Sequence, residues 1–349
     1  MIHWQASRLA RVVGGLTAAL VAALLFGGCG VGTFLRAAGA LPAGADGVTQ
    51  AANQPATTPS ASATSDPGPG TASPTDHSAQ SPAPSAALDP VASVTPASTE
   101  AAETPKLTSI WNFRDVAGSG LPLADGGRMA TGVVYRSGKL DTLSDKDKRA
   151  LIGLGLVEVI DLRTRAKAAS APDPSLPGVA NERIDIWLGR ASEPTAKTVA
   201  QAEELMRDRN RDFVRVASQR EKIAEALRAV LAADGPVLIH CTEGKDRTGW
   251  VSFLLQQIAG ASLDDSVQQY LLSNDYRRAL IEKEVAKVRK AKGETQAAIE
   301  SATLELDSSY LLAGVDQAEQ DYGGVDAYLT DGLGLTSDEI SALAAKLRR

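Results

Sequence analysis

The stretch Pro236-Val237-Leu238-Ile239-His240-Cys241-Thr242-Glu243-Gly244-Lys245-Asp246-Arg247-Thr248-Gly249 decides how this chain folds and what chemistry it carries. Its first part is a short apolar run after the turn signal Asp234-Gly235-Pro236, suited to a strand buried on both faces. Its second part breaks at Gly244 and resumes at Arg247 as a helix reaching Ile258. A strand, a tight glycine loop and a helix N-terminus together make an anion site, because unpaired backbone N–H groups and the helix dipole converge on one point. Cys241 opens the loop inside that field, where a sulfur anion is stabilised and acts as a nucleophile. Arg247 falls where a planar guanidinium grips two oxygens of the bound anion.

Working outward, Val133 to Arg136 and Leu156 to Leu162 read as strands, and Ile184 to Leu188 adds a further one. Ser144 followed by Asp145 and Asp147 starts a helix that ends near Gly153-Leu154-Gly155. Apolar residues recur at helical spacing over Asp212 to Ala233. Beyond the loop, helices are expected over Leu263 to Leu272, Asp275 to Lys292, Gln296 to Gln320, Val325 to Leu329 and Ser337 to Leu347. The fold class is therefore α/β, a mostly parallel central sheet flanked by helices, with a helical C-terminal third.

Composition divides the 349 residues unevenly. Residues 1–36 carry Arg8 and Arg11 and then an uncharged stretch from Val12 to Leu35, the pattern of an export signal or membrane anchor. Phe26-Gly27-Gly28-Cys29 resembles a bacterial lipobox, which makes Cys29 the lipidation site; an uncleaved transmembrane helix and cleavage near Ala38-Gly39-Ala40 are the alternatives. Each places the remainder outside the cytoplasm. Residues 37–106 are an Ala/Pro/Ser/Thr-rich tether, expected to be disordered: Lys and Arg are absent from Ala37 to Pro105, and aromatics from Leu35 to Ile110. Residues 107–349 are long enough to bury a core and form the catalytic domain.

The net charge of -6 gives no reason to expect nucleic-acid binding. With Cys29 at the membrane, Cys241 has no partner for a structural disulfide. The histidines His3, His77 and His240 are scattered, so no metal or other cofactor is expected.

The loop, read as a phosphate cradle, resembles that of the bacterial secreted tyrosine and dual- or triple-specificity phosphatases within the protein tyrosine phosphatase superfamily. Four further blocks carry the same resemblance: Trp111-Asn112-Phe113-Arg114-Asp115-Val116, Tyr135-Arg136-Ser137-Gly138-Lys139-Leu140, Asp161-Leu162-Arg163 and Tyr270-Leu271-Leu272-Ser273-Asn274-Asp275. The family often has a Glu soon after Asp-Leu-Arg, where this chain reads Thr164-Arg165-Ala166-Lys167. The resemblance implies phosphomonoester hydrolysis through a phosphocysteine on Cys241, with phosphorylated proteins or phosphoinositides as substrates. Thr242, Glu243, Gly244 and Lys245 line the cradle, Lys245 being the cation suited to a lipid headgroup, and His240 anchors the loop. Thr248 is placed to donate to the Cys241 sulfur, and Arg277 to Lys292 is a candidate lid. Asp246 and Asp161 are rival candidates for the acid that protonates the leaving oxygen, with Asp246 favoured because the loop fixes its distance. Arsenate reduction needs further cysteines, which residues 107–349 lack. Sulfur transfer uses a differently spaced loop.

If Cys29 is the lipid-bearing residue, cells fed a radioactive fatty acid will label the wild-type chain and leave Cys29→Ala unlabelled.

Overall fold

The computed structural model describes residues 104–187 and 195–348. The export segment, Cys29 and all but the last residues of the tether lie outside the described residues. Five strands form one sheet: β1 (Arg114–Asp115), β2 (Val134–Ser137), β3 (Glu158–Asp161), β4 (Ala180–Arg183) and β5 (Val237–His240). Their order is β1-β2-β5-β3-β4, parallel except for the antiparallel edge pair β1-β2.

The decisive run is the central strand. On β5, Val237 and Ile239 face the larger apolar cluster, while Leu238 faces a second cluster with Tyr135, Leu151 and Val159. Burial on both faces explains why this strand reads as an unbroken apolar run rather than an alternating one. Its neighbours end level with it: Ser137 of β2 and Asp161 of β3 are both in register with His240. Cys241 therefore leaves the C-terminal edge of a parallel sheet between two strand ends, the place where open α/β sheets hold ligands.

Helix α1 (Asp145–Gly153), capped by Ser144, sends Leu151 into the smaller cluster. Helix α2 (Arg165–Ser170) follows β3. The other face carries α3 (Val199–Arg215), α4 (Ala217–Ala232) and α5 (Arg247–Ala259). Then come α6 (Leu263–Lys292), α7 (Glu294–Leu304), α8 (Ser308–Tyr322), the short α9 (Val325–Ala327) and α10 (Ser337–Lys346). A π-helical turn, Tyr328–Gly332, follows α9. Among the described residues no helix is long and apolar enough to cross a membrane.

Several sequence-based boundaries move, each for a tertiary reason. The fourth strand is Ala180–Arg183; Ile184 still donates its N–H to Asp161 O at 2.9 Å, and Ile184 and Ile186 beyond the strand are buried in the core. The helix expected from Asp212 is two, separated at Val216 in extended geometry (ψ 114°); Arg220 Nη1 satisfies the freed carbonyls of Val214 and Arg215, both at 2.8 Å. The helices expected on either side of Ser273-Asn274 are the single α6. Ser273 accepts from Arg114 Nη2 at 3.0 Å, and Asn274 pairs with both backbone groups of Leu306, so their polar side chains serve neighbouring elements rather than ending the helix. Leu306 in turn marks the break that divides the expected Gln296 to Gln320 helix.

Helix α5 is held by Trp250, whose ring lies 5.9 Å from Phe213, 5.3 Å from Phe253 and 6.1 Å from Tyr328. Gly314 on α8 lets the indole approach, since a Cβ there would sit 2.6 Å from it. Trp250→Ala removes a fully buried aromatic and is expected to lower stability by about 3–5 kcal/mol, read from the urea unfolding midpoint.

Candidate active site

Between His240 and Arg247 the chain reverses from strand to helix, and Gly244 makes this sterically feasible. Its φ is +67°, and a Cβ would lie 2.4 Å from Ser137 O, so a side chain is excluded by conformation and by space. The loop is fixed from outside through its carbonyls. Asn112 Nδ2 donates to Glu243 O at 3.2 Å and to Gly244 O at 2.8 Å, and Arg136 Nη2 donates to Gly244 O at 2.7 Å. Lys139 N takes Thr242 O at 3.1 Å. Asn112 itself has φ +63°, a left-handed backbone that asparagine tolerates better than most residues. Arg114 holds it there through Asn112 O and Oδ1, and reaches Gln269 O at 2.9 Å on α6. The two blocks Trp111 to Val116 and Tyr135 to Leu140 thus act as the scaffold of the loop.

With those carbonyls drawn outward, Gly244 N donates inward to Cys241 Sγ at 3.3 Å. The cysteine is buried, free of disulfides, and lies within the field of Arg136. Burial lowers Arg136 to about 10, while Cys241 and Tyr270 pull the other way. Thr248 departs from expectation. Its buried Oγ1 has no hydrogen-bond partner among the described residues, and the sulfur is reached instead by the Gly244 N–H that the left-handed turn directs at it.

Arg247 opens α5 with Nη1 on Leu162 O at 3.0 Å and Nη2 on Thr242 Oγ1 at a long 3.3 Å. Its Nε is buried and has no partner among the described residues. The guanidinium carbon Cζ lies over the ring of Trp187, 4.1 Å from its centroid. Arg209 of α3 lies 5.7 Å from the same ring.

Asp246 occupies the N-cap position of α5, but its side chain makes no capping bond. Its Oδ1 lies 3.5 Å from Lys245 Nζ. Burial pushes the carboxyl up, yet Lys245, Arg209, Arg247 and Arg277 outweigh that and hold it below the ordinary aspartate value. The rival Asp161 is spent elsewhere. Its Oδ1 accepts from Arg163 N and Nε at 3.0 and 2.7 Å, and Oδ2 from Arg163 Nη2 at 2.8 Å. Arg163 also binds Asp173 at 2.6 Å, and His240 Nε2 lies 3.2 Å from that same Asp173 oxygen. The other imidazole nitrogen is 3.4 Å from Cys241 O, so His240 links the loop to a buried charge cluster. Asp161, Asp173 and His240 have donor atoms within 4.8 Å of one another, and Arg163 ion-pairs with both carboxylates.

The side chains of Lys245 and Glu243, expected in the cradle, bond to neighbouring helices. Lys245 Nζ is buried and donates to Thr303 O at 2.6 Å, and Glu243 pairs with Arg277 at 2.6 Å. Arg277 also caps Leu304 O at 2.8 Å, so both loop side chains fasten to the C-terminal end of α7. The candidate lid segment begins at this fully buried Arg277, and farther along Ile281 and Val285 pack on Ala297 of α7.

Sequence reasoning missed Trp187, Arg209 and Asp173. Only Trp187 carried a signal, as one of 4 tryptophans in a chain with 4% aromatic residues.

A buried cysteine at the end of the central parallel strand, an oxyanion loop around it and an arginine in the first helical turn define the class of cysteine-dependent phosphatases. The chain belongs to the tyrosine phosphatase family, whose pattern it matches over residues 105–349. It is 32% identical over 248 residues to a Cupriavidus necator protein assigned as a tyrosine-protein phosphatase, covering 68% of this chain and 86% of that one. It is 28% identical to the triple specificity protein phosphatase PtpB of Mycobacterium tuberculosis, over 65% of this chain and 92% of that one. Among solved structures, TpbA of P. aeruginosa in complex with phosphotyrosine is 16% identical, with a TM-score of 0.26 over 60% of this chain and 98% of that one.

Because Asp161 is committed to Arg163, Asp161→Ala is expected to cost about 3 kcal/mol of stability, as breaking a buried ion pair does. Its ratio of activity on para-nitrophenyl phosphate to that on phenyl phosphate should match wild type.

Proposed function

We propose that the chain hydrolyses phosphate monoesters of phosphotyrosine proteins through a phosphocysteine on Cys241. The supporting observation is a buried cysteine in the same loop as a guanidinium edge whose buried Nε has no partner among the described residues. Arg247 Nε, with the weakly engaged Nη2 beside it, forms a fork matched to two phosphate oxygens. In the first step the sulfur attacks phosphorus, the S–P bond forms and the P–O bond to the leaving group breaks. Asp246 gives its proton to the departing oxygen. In the second step water attacks the phosphocysteine, Asp246 takes back a proton, and inorganic phosphate leaves as the sulfur is restored.

The surrounding cations hold Asp246 ionised in the free site, which suits the base of the second step. A bound phosphate dianion offsets those same cations and raises the carboxyl toward the acid form that the first step requires. A further point favours Asp246: it is free of backbone capping bonds, whereas Asp161 is fully engaged. The relative named for triple specificity makes phosphoserine, phosphothreonine and phosphoinositides the substrates to test beside phosphotyrosine. We place the protein outside the cytoplasm, anchored by its N-terminal segment, on sequence alone.

Cys241→Ser should abolish hydrolysis while leaving the fold intact, and Arg247→Lys should lose most of it, because a point charge cannot replace a planar fork. Turnover of para-nitrophenyl phosphate by Cys241→Ser would overturn the mechanism. Asp246→Asn should slow phenyl phosphate at least about tenfold more than para-nitrophenyl phosphate and remove the basic limb of the kcat profile, within the 10²–10⁴ range of general acid catalysis. Equal slowing of both substrates would remove Asp246 from the acid role.

A further inference from the structure

Arg247 must present one edge of its guanidinium at a fixed tilt, and few contacts set that tilt. Nη1 is anchored on Leu162 O at 3.0 Å. That single firm bond leaves the plane free to swing about the Nη1···O line, since the contact of Nη2 to Thr242 Oγ1 is long at 3.3 Å. The guanidinium carbon Cζ lies over the Trp187 ring, 4.1 Å from its centroid, close enough for the indole to attract the charge and limit that swing. Trp187 is itself held in place. Its backbone N donates to Asp185 Oδ1 at 3.0 Å, and its ring packs against the main core just beyond the buried Ile184 and Ile186.

We propose that Trp187 is a positioning residue for Arg247. The indole fixes the guanidinium plane so that Nε and Nη2 point at the phosphate oxygens, and it acts through the arginine rather than on the substrate. This rests on the reading of Arg247 as the phosphate clamp. Because stacking needs a planar cation, the effect of Trp187 depends on arginine being present and vanishes with lysine. Because the clamp holds the equatorial oxygens and not the leaving group, losing the stack slows good and poor leaving groups alike, which separates Trp187 from Asp246.

The test uses Trp187→Leu, which keeps apolar bulk against the core, and Trp187→Phe, which keeps a π face. Tungstate serves as the phosphate mimic. Trp187→Leu is expected to weaken tungstate inhibition about three- to thirtyfold, the range spanned by cation–π strengths. It should lower kcat by a similar factor on para-nitrophenyl and phenyl phosphate, and Trp187→Phe should regain most of both. In an Arg247→Lys background, measured by calorimetric binding, the same Leu substitution should change tungstate affinity less than about twofold, the coupling that a double-mutant cycle isolates. Trp187→Met replaces the Leu variant if that one does not fold. Unchanged tungstate affinity in the folded variant, or an equal loss in the lysine background, overturns the proposal. So does a lowered melting temperature with normal tungstate affinity per active site. A wild-type chain inert toward para-nitrophenyl phosphate would instead overturn the phosphatase reading on which the proposal stands.

Discussion

Everything at this site depends on the close approach of Gly244 to Ser137. With no room for a Cβ, the loop folds back against the end of β2, and its carbonyls come within reach of Asn112 and Arg136. Two consequences follow from that contact. The carbonyl oxygens, which would repel a phosphate, are bonded from behind, and the Gly244 N–H is left pointing at the sulfur. The motifs remote from Cys241 in sequence are thus parts of one device that sets the polarity of a few peptide groups.

Around that device the charges are arranged in two shells with different work. Below the loop, Arg163, Asp161, Asp173 and His240 form a buried cluster that is internally paired. Such a cluster gains little net energy once desolvation is counted, but it fixes the strand end from which Cys241 departs. Beside the loop, Lys245, Arg277 and Glu243 bind it to the end of α7, where helical carbonyls lack partners of their own. Among the described residues Arg247 has a buried Nε without a partner, as do the flanking Arg136 and Arg277, and it is the one of these three that stands in the loop-to-helix turn itself.

Much of the site was legible because its chemistry is local. Strand, loop and helix are contiguous from Val237 to Ala259, so the spacing from Cys241 to Arg247 and the need for Gly244 could be read along the chain. The roles of Lys245 and Thr248 were not legible: a lysine in a cradle and a threonine after an arginine look like ligand and donor. Their contacts depend on Thr303, which takes the Lys245 ammonium, and on the turn that directs the Gly244 N–H at the sulfur. Secondary structure failed in the same manner. Ser273-Asn274 looks like a helix break until Arg114 and Leu306 bond to those side chains, and Val216 carries no breaker signal although the chain turns there.

The sequence by itself determined the class of fold and the strand, glycine turn and helix that bring Cys241 and Arg247 to one loop, because steric exclusion and strand burial act on neighbouring residues. Only the tertiary structure decided which acid is unspent. Asp161 and Asp246 are equivalent as letters, and they differ because Arg163 folds back onto one while the other stands uncapped among four cations. The tertiary structure alone also set Trp187 against Arg247, since the end of β4 and the start of α5 are distant in sequence and meet only when the sheet forms.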